Sequence, residues 1–186
     1  MNIGFALCGS FCTFSKTFPI MQALQQKHAL TPVFSQAAYS TDTRFGTAAE
    51  HIAAVKKICG VTPLHTIVEA EPIGPKKLFD ILVIAPCTGN TLAKLAHGIA
   101  DGPVTMAAKS HLRNGRPILI AISTNDALST AAENIARLLA KKHYYFVPYR
   151  QDDSAEKPFS MVADFSLIPQ ALEAALKGQQ IQPVII

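Results

Sequence analysis

The sequence predicts an α/β fold: a single domain, residues 1–186, in which helices cover both faces of a doubly wound parallel sheet in a Rossmann-like arrangement. The first observation is that short apolar runs alternate with longer segments of helical periodicity, as they do in sheets with crossover helices. The second is that residues 81–85 and 117–122 are almost entirely apolar at consecutive positions, as strands buried on both faces are. The third is the length of 186 residues, which suits one domain.

Five segments have the composition and length of strands. They cover residues 2–7, 31–35, 81–85, 117–122 and 144–147. Each is rich in aliphatic or aromatic residues, which strands favour. The two remaining long segments, 61–79 and 149–164, are rich in proline, glycine and charge, and we predict that they are loops.

Three helices are indicated by signals at their ends. Thr47 and Glu50 have the spacing of a capping box before an amphipathic run, and Thr130 and Glu133 repeat that spacing before another. A last helix is predicted over residues 167–177, with a proline that falls in its first turn.

The composition limits the functional classes. Hydrophobic residues make up 49% of the chain and charged residues only 16%, so disorder is excluded and a large buried core is expected. Part of this apolar surface is expected to lie in subunit contacts. The net charge of +4 arises from scattered lysines and arginines. Because no basic stripe is present, the charge argues against nucleic-acid binding.

The cysteines and the chain start predict a cytoplasmic protein. The four cysteines form no CxxC pair and no Cys/His ligand spacing, so we expect reduced thiols and no metal site. No basic stretch precedes the first apolar run, so a signal peptide is not expected. The apolar runs are far shorter than the roughly 20 residues of a membrane-spanning helix.

The first strand is followed by residues that suit a phosphate. Ligands of such sheets bind outside the carboxyl ends of the strands. Gly9 permits close backbone approach there, and Ser10 and Thr13 offer hydroxyls near a helix N-terminus. The alternative is an ordinary glycine-serine turn. Neither the dinucleotide fingerprint GxGxxG nor the GK[ST] of a Walker loop is present.

Two further strands also end in polar residues. Thr88, Gly89, Asn90 and Thr91 follow the third strand, and a simple N-cap at Thr88 would account for one of them only. The fourth strand ends in STND at residues 123–126, whose last two residues alternatively begin the next helix. Three polar strand ends at one edge predict a polar heteroaromatic ligand that carries one phosphate.

The sequence resembles the flavoprotein superfamily of homo-oligomeric flavin-containing cysteine decarboxylases and flavin prenyltransferases. The resemblance covers most of the chain and is carried by CGS at 8–10, APCTGNTLAK at 85–94 and HGIADGPV at 97–104. A closer resemblance, to one component of a two-component oxidoreductase within that superfamily, is carried by STDTRFG at 40–46, ISTNDAL at 122–128 and QDD at 151–153.

The resemblance implies a flavoprotein fold that binds FMN in a homo-oligomer, trimer-based or larger. The residues it implies for the cofactor are Gly9, Ser10, Phe11, Ser35, Thr88, Gly89, Asn90, Thr91 and Ser123. Asn90 is also the catalytic candidate that orients the reactants, and Arg44 and Asn125 are the substrate-binding candidates. No metal is implied.

The closer resemblance implies a reaction and a partner. The activity is the oxidation of a dihydropyridine dicarboxylate during spore formation, in the mother-cell cytoplasm, together with a second component that binds NAD(P). Arg44 suits a dicarboxylate because its guanidinium binds a carboxylate in a bidentate way. The alternative for Arg44 is a surface pair with Asp42.

Other functions remain open at this point. A flavin prenyltransferase or flavin-dependent decarboxylase would keep the fold and FMN. Three departures argue against these activities. Ser123 stands where the prenyltransferases have an arginine. The cysteine decarboxylases have a histidine shortly before the third strand, where residues 73–79 contain none, and a PMN segment where this chain has STN at 123–125. A non-catalytic assembly component is a third possibility. Cys12 and Cys87 are either small buried side chains or thiols activated at a helix N-terminus.

Overall fold

A seven-stranded mixed sheet forms the centre of the molecule. A computed structural model describes all 186 residues. The strands are β1 (Asn2–Leu7), β2 (Ala29–Phe34), β3 (Ile81–Cys87), β4 (Ile118–Thr124), β5 (Tyr144–Phe146), β6 (Tyr149–Asp153) and β7 (Lys157–Ala163). Strands β2, β1, β3 and β4 lie side by side in that order and pair in parallel, and β5 adds in parallel to β4.

Eight α-helices connect and cover the strands. They are α1 (Phe14–Gln25), α2 (Gln36–Ser40), α3 (Ala48–Cys59), α4 (Ile67–Ala70), α5 (Gly89–His97), α6 (Pro103–Leu112), α7 (Ala132–Leu139) and α8 (Ile168–Leu176). Every residue of β3 is buried, which requires cover on both faces of the sheet. The predicted α/β fold with helices around a mostly parallel sheet is therefore confirmed. No helix is long and apolar enough to cross a lipid bilayer.

The prediction that residues 149–164 form a loop was wrong, and with it the prediction that all strands are parallel. Strands β6 and β7 form an antiparallel hairpin there, and β7 pairs with the last two residues of β4, Ser123 and Thr124. Most residues of the hairpin are exposed. Because this edge hairpin buries little apolar surface, its sequence lacks the continuous apolar pattern that marks a buried strand.

Other elements also differ from the prediction. Residues 61–79 contain the short helix α4, begun by a second capping box at Thr66 and Glu69. Strand β3 continues past Pro86 to Cys87, where its pairing with β4 is irregular. A proline is tolerated in a strand where the ladder is interrupted, because no donor is then missing.

The two predicted capping boxes had different outcomes. At Thr47 the box is present: the hydroxyl accepts from the backbone N–H of Glu50, whose carboxylate accepts from the N–H of Thr47 at 2.8 Å. The box at Thr130 was wrong, because α7 begins only at Ala132 and has no side-chain cap. The N–H of Ala131 instead donates to the carbonyl of Asp126 at 3.0 Å, so Thr130 lies in the turn before the helix.

The parallel pairing brings three carboxyl ends to one edge. Strands β1, β3 and β4 are neighbours, and they end at Leu7, Cys87 and Thr124. Their following loops therefore border the same space, which is where ligands of such sheets bind.

The contrast between the two threonines predicts their contributions to stability. We expect Thr47→Ala to lower the free energy of unfolding by about 1 kcal/mol, because α3 loses its cap. Thr130→Ala should change it by less than about 0.5 kcal/mol, because no helix end depends on that hydroxyl. Urea unfolding followed by circular dichroism measures both. Equal losses in the two variants would contradict the assignment of these helix starts.

Candidate functional site

A cavity of about 970 Å³ opens at the carboxyl edge of β1, β3 and β4. Most of the residues that line it are not hydrophobic, and they come from the segments after these strands, from residues 43–45 and from the β6–β7 hairpin. This volume lies near the upper end of the range for small-molecule and cofactor sites, about 300–1,000 Å³.

Nine of the eleven predicted site residues line this cavity. They are Gly9, Ser10, Phe11, Arg44, Thr88, Gly89, Asn90, Ser123 and Asn125. The other two, Ser35 and Thr91, border a neighbouring cleft of about 60 Å³, and Asn90 lies between the two spaces. The hydroxyl of Ser35 caps α2 by accepting from the N–H of Ala38 at 3.2 Å.

A direct contact joins the ends of the first and fourth strands. The hydroxyls of Ser10 and Ser123 lie 2.7 Å apart, although 113 positions separate them along the chain. The hydroxyl of Thr13 donates to the carbonyl of Ser10 at 2.8 Å. The loop after β1 is thus fixed both to its own helix and to β4.

The start of α5 presents polar groups to the cavity. Thr88 is the N-cap, since its hydroxyl accepts from the N–H of Thr91. The hydroxyl of Thr91 is buried and donates to the sulfur of Cys8 at 3.3 Å. The exposed amide of Asn90 forms no hydrogen bond within the chain, and the same is true of Asn125. These two amides, together with the first backbone N–H groups of the helix, are available to a ligand.

The lack of a side chain at Gly89 leaves space for the polar atoms of Thr124 and Asp126 at the start of α5. A Cβ at position 89 would lie 2.6 Å from Oδ1 of Asp126 and 2.9 Å from the hydroxyl of Thr124. The segment after β4 therefore packs directly on the first turn of α5, and only glycine fits between them.

Two positively charged side chains that line the cavity take part in no ion pair. Lys16 and Arg44 line it without a carboxylate partner, whereas Lys157 binds Asp152 at 2.8 Å. The alternative in which Arg44 pairs with Asp42 was wrong. The carboxylate of Asp42 instead accepts from the N–H of Ala48 at 2.9 Å, which holds the start of α3.

The segment that carries Arg44 is held in place. Thr43 and Gly46 exchange two backbone hydrogen bonds of 3.0 and 3.1 Å around Arg44 and Phe45. Gly46 has φ of +127°, and a Cβ there would lie 2.8 Å from the buried ring of His51. Burial lowers the pKa of His51, so the ring beneath this turn is neutral near pH 7.

The cysteines occupy different environments. Cys12 is exposed at the cavity, whereas Cys8 and Cys87 are fully buried behind it. Burial raises the pKa of the Cys87 thiol well above its usual value. This argues against an activated thiolate at Cys87 and favours its interpretation as a small buried side chain.

Sequence reasoning missed several lining residues. They include Lys16, Asp126, Asp152, Lys157, Ser160 and Met161. Four of these lie on the hairpin that was predicted to be a loop, and only the QDD string at 151–153 had pointed to it. Lys16 and Asp126 each come shortly after a polar strand end. Lys16 lies in the first turn of α1 and Asp126 in the turn before α7. A charged residue at such a place is also typical of an ordinary turn or helix start, so the sequence did not single out either one.

Comparison with known proteins identifies relatives over the whole chain. The sequence model of the family described as Flavoprotein matches residues 1–165. The B subunit of dipicolinate synthase from Bacillus subtilis (strain 168) is 46% identical over 186 residues, which cover 100% of this chain and 93% of that protein.

Solved structures agree with this relation. The crystal structure of the B subunit of dipicolinate synthase from Bacillus halodurans matches with a TM-score of 0.91 and 45% identity, over 100% of this chain and 95% of that one. Burkholderia xenovorans DmrB in complex with FMN, described as a cubic protein cage for redox transfer, matches with a TM-score of 0.72. It is 17% identical over 95% of both chains, which shows a common fold.

The serine contact predicts a measurable coupling. We expect Ser10→Ala and Ser123→Ala to be non-additive in the free energy of unfolding, with a coupling of about 1 kcal/mol, because either change removes the same hydrogen bond. Urea unfolding of the two single variants and the double variant measures it. The pair Ser10→Ala and Ser40→Ala, whose hydroxyls are not in contact, should be additive. A coupling near zero for Ser10 and Ser123 would show that the two strand ends are not joined.

Proposed function

This chain belongs to the Flavoprotein family, and from that premise we propose that it is the FMN-binding B subunit of a dipicolinate synthase. In this proposal it takes part in oxidising a dihydrodipicolinate-type precursor to pyridine-2,6-dicarboxylate, together with the NAD(P)-binding A subunit of that enzyme, in the mother-cell cytoplasm during sporulation. The observation that carries the proposal is the single cavity where three polar strand ends meet two unpaired cations. The full-length similarity to B subunits of dipicolinate synthase supports it.

The residues present fit FMN. Members of the Flavoprotein family bind FMN, and a flavin needs an apolar wall as well as polar partners for its ring edge, ribityl chain and phosphate. Phe11, Phe45, Met161 and Val162 supply the apolar part of the wall. The hydroxyl of Ser10 and the unengaged amide of Asn90 supply polar partners.

The phosphate has a set of candidate partners. The residues that would hold it are Gly9, Ser10 and Phe11 in the cavity and Ser35 in the adjoining cleft, with Thr88, Gly89, Asn90, Thr91 and Ser123 beside the ring and ribityl chain. Hydroxyls, glycine backbone and the start of a helix are typical partners of a phosphate. The bound cofactor would supply a two-electron acceptor.

The remaining polar groups fit a dicarboxylate. Arg44 carries a permanent charge and has no carboxylate partner, so its guanidinium is free to bind one carboxylate of the substrate. The amide of Asn125 can donate to the other. Asn90 lies between the cavity and the cleft, where it can orient the cofactor and the reacting ring relative to each other.

Assembly into a homo-oligomer, trimer-based or larger, is part of the proposal. Several large apolar side chains are exposed, among them Val68 at 80%, Ile185 at 63% and Phe159 at 53%. Exposed apolar side chains are candidates for contacts between copies of the chain. DmrB, which shares the fold, is described as a cage.

Two variants distinguish the binding of the cofactor from the binding of the substrate. We expect the wild-type protein to bind one FMN per chain. Asn90→Ala should weaken FMN binding about tenfold or more, because one amide partner is lost. Arg44→Ala should leave FMN binding unchanged and weaken pyridine-2,6-dicarboxylate binding about tenfold to a hundredfold, because a charge-assisted hydrogen-bonded pair is lost. Flavin fluorescence quenching and calorimetry measure these affinities.

Arg137→Ala is the matched control, because that arginine pairs with Glu133 on the outside of α7 and does not line the cavity. Wild-type protein that takes up no FMN would refute the proposal. Full turnover of the complex reconstituted with the A subunit, in both Asn90→Ala and Arg44→Ala, would favour an assembly role instead. Formation of prenylated FMN with dimethylallyl phosphate would favour a prenyltransferase.

A further inference from the structure

We propose that Asp126 accepts the proton that the substrate releases when its ring becomes aromatic. This inference rests on the proposed function, and it assigns a catalytic role to a residue that the sequence indicated only as part of a polar strand end or as an alternative helix start.

The chemistry requires such an acceptor. One ring C–H bond of the dihydropyridine loses its hydrogen as a proton, and the electron pair left behind forms a new ring double bond. The neighbouring C–H bond loses hydrogen together with its electron pair, which an oxidised flavin or nicotinamide accepts. Flavin and nicotinamide chemistry accounts for the second transfer. The first needs a base within reach of the ring.

Few side chains at the cavity can act as that base. The titratable and charged groups that line it, taken over every bordering element, are Cys12, Lys16, Arg44, Asp126, Asp152 and Lys157. Protonated lysine and arginine side chains have no lone pair with which to accept a proton. Cys12 lies at the exposed rim of the cavity.

The two carboxylates differ in their partners. Asp152 lies on β6 and binds the ammonium group of Lys157 at 2.8 Å, and both are on the outer hairpin. Asp126 lies directly after β4 and has no cation within ion-pair distance. Of the two carboxylates that line the cavity, Asp126 is therefore the one without an ion-pair partner.

The geometry around Asp126 holds it between the end of β4 and the start of α5. The hydroxyl of Thr124 donates to its Oδ1 at 2.5 Å, which leaves Oδ2 free of any partner in the chain. The carboxylate packs against Gly89, since a Cβ there would lie 2.6 Å from Oδ1 and 3.1 Å from Oδ2. It thus lies beside the first turn of α5, and Asn90 on that turn lines the same cavity.

Capping of α7 does not account for this side chain. The backbone carbonyl of Asp126, not its carboxylate, accepts from Ser129 and Ala131 in the turn before α7. The N-cap position of α7 is Ala131, which provides no side-chain cap. The carboxylate is therefore not needed to begin the helix.

The test is Asp126→Asn in the complex with the A subunit. We expect the turnover of a dihydrodipicolinate to fall about a hundredfold or more, as for loss of a general base. FMN affinity and the unfolding midpoint should remain within about twofold and about 2 °C of wild type. Asp126→Glu, which keeps a carboxylate at this position, should restore part of the turnover. Glu133→Gln, an exposed carboxylate on α7, is the matched control and should behave as wild type.

A binding measurement on this chain with FMN supplies an independent readout. Pyridine-2,6-dicarboxylate is a dianion, and a carboxylate beside its ring repels it. We therefore expect Asp126→Asn to bind this product about threefold more tightly near neutral pH, measured by calorimetry, with no such change in Glu133→Gln.

Several results would overturn the inference. These are wild-type turnover in Asp126→Asn, and loss of turnover in Asp152→Asn instead. In both cases FMN binding by the wild type would still support the proposed function. Absence of FMN binding by the wild type would overturn the proposed function, and the inference with it.

Discussion

The parallel pairing of β1, β3 and β4 is the constraint on which the rest of the structure depends. Their central strand, β3, is buried along its whole length and has a parallel partner on each side. Because parallel strands end at the same edge, the loops after Leu7, Cys87 and Thr124 must meet there. A cavity at that edge follows from the topology, and the side chains in those loops decide what it can bind.

Contacts between distant segments convert this edge into a defined site. The hydroxyls of Ser10 and Ser123 join the first and fourth strand ends, and Asp126 packs on Gly89 at the start of α5. The amides of Asn90 and Asn125, by contrast, have no protein partner. The strand ends are thus joined to one another, and these two amides are left free for a ligand.

The sequence was sufficient to predict the parts of the molecule that have local signals. Apolar strands followed by glycine, hydroxyl and amide residues predicted both the sheet and most of the residues at its edge. The capping box at Thr47 could also be predicted from the sequence, because it involves groups only three residues apart. The same spacing at Thr130 failed, because the turn formed by the carbonyl of Asp126 delays the start of α7. The edge hairpin had no signal of a strand, since exposed strands lack an apolar pattern and their pairing depends on β4.

The central claim is that these strand ends bind flavin mononucleotide, and a crystal structure grown with excess FMN tests it most directly. The account predicts electron density for the isoalloxazine ring against Phe11 and within hydrogen-bond distance of the Asn90 amide. It also predicts the phosphate on the side of Ser10 and Ser35. Density for FMN at a different surface, or a cavity that holds only solvent at saturating FMN, would contradict it.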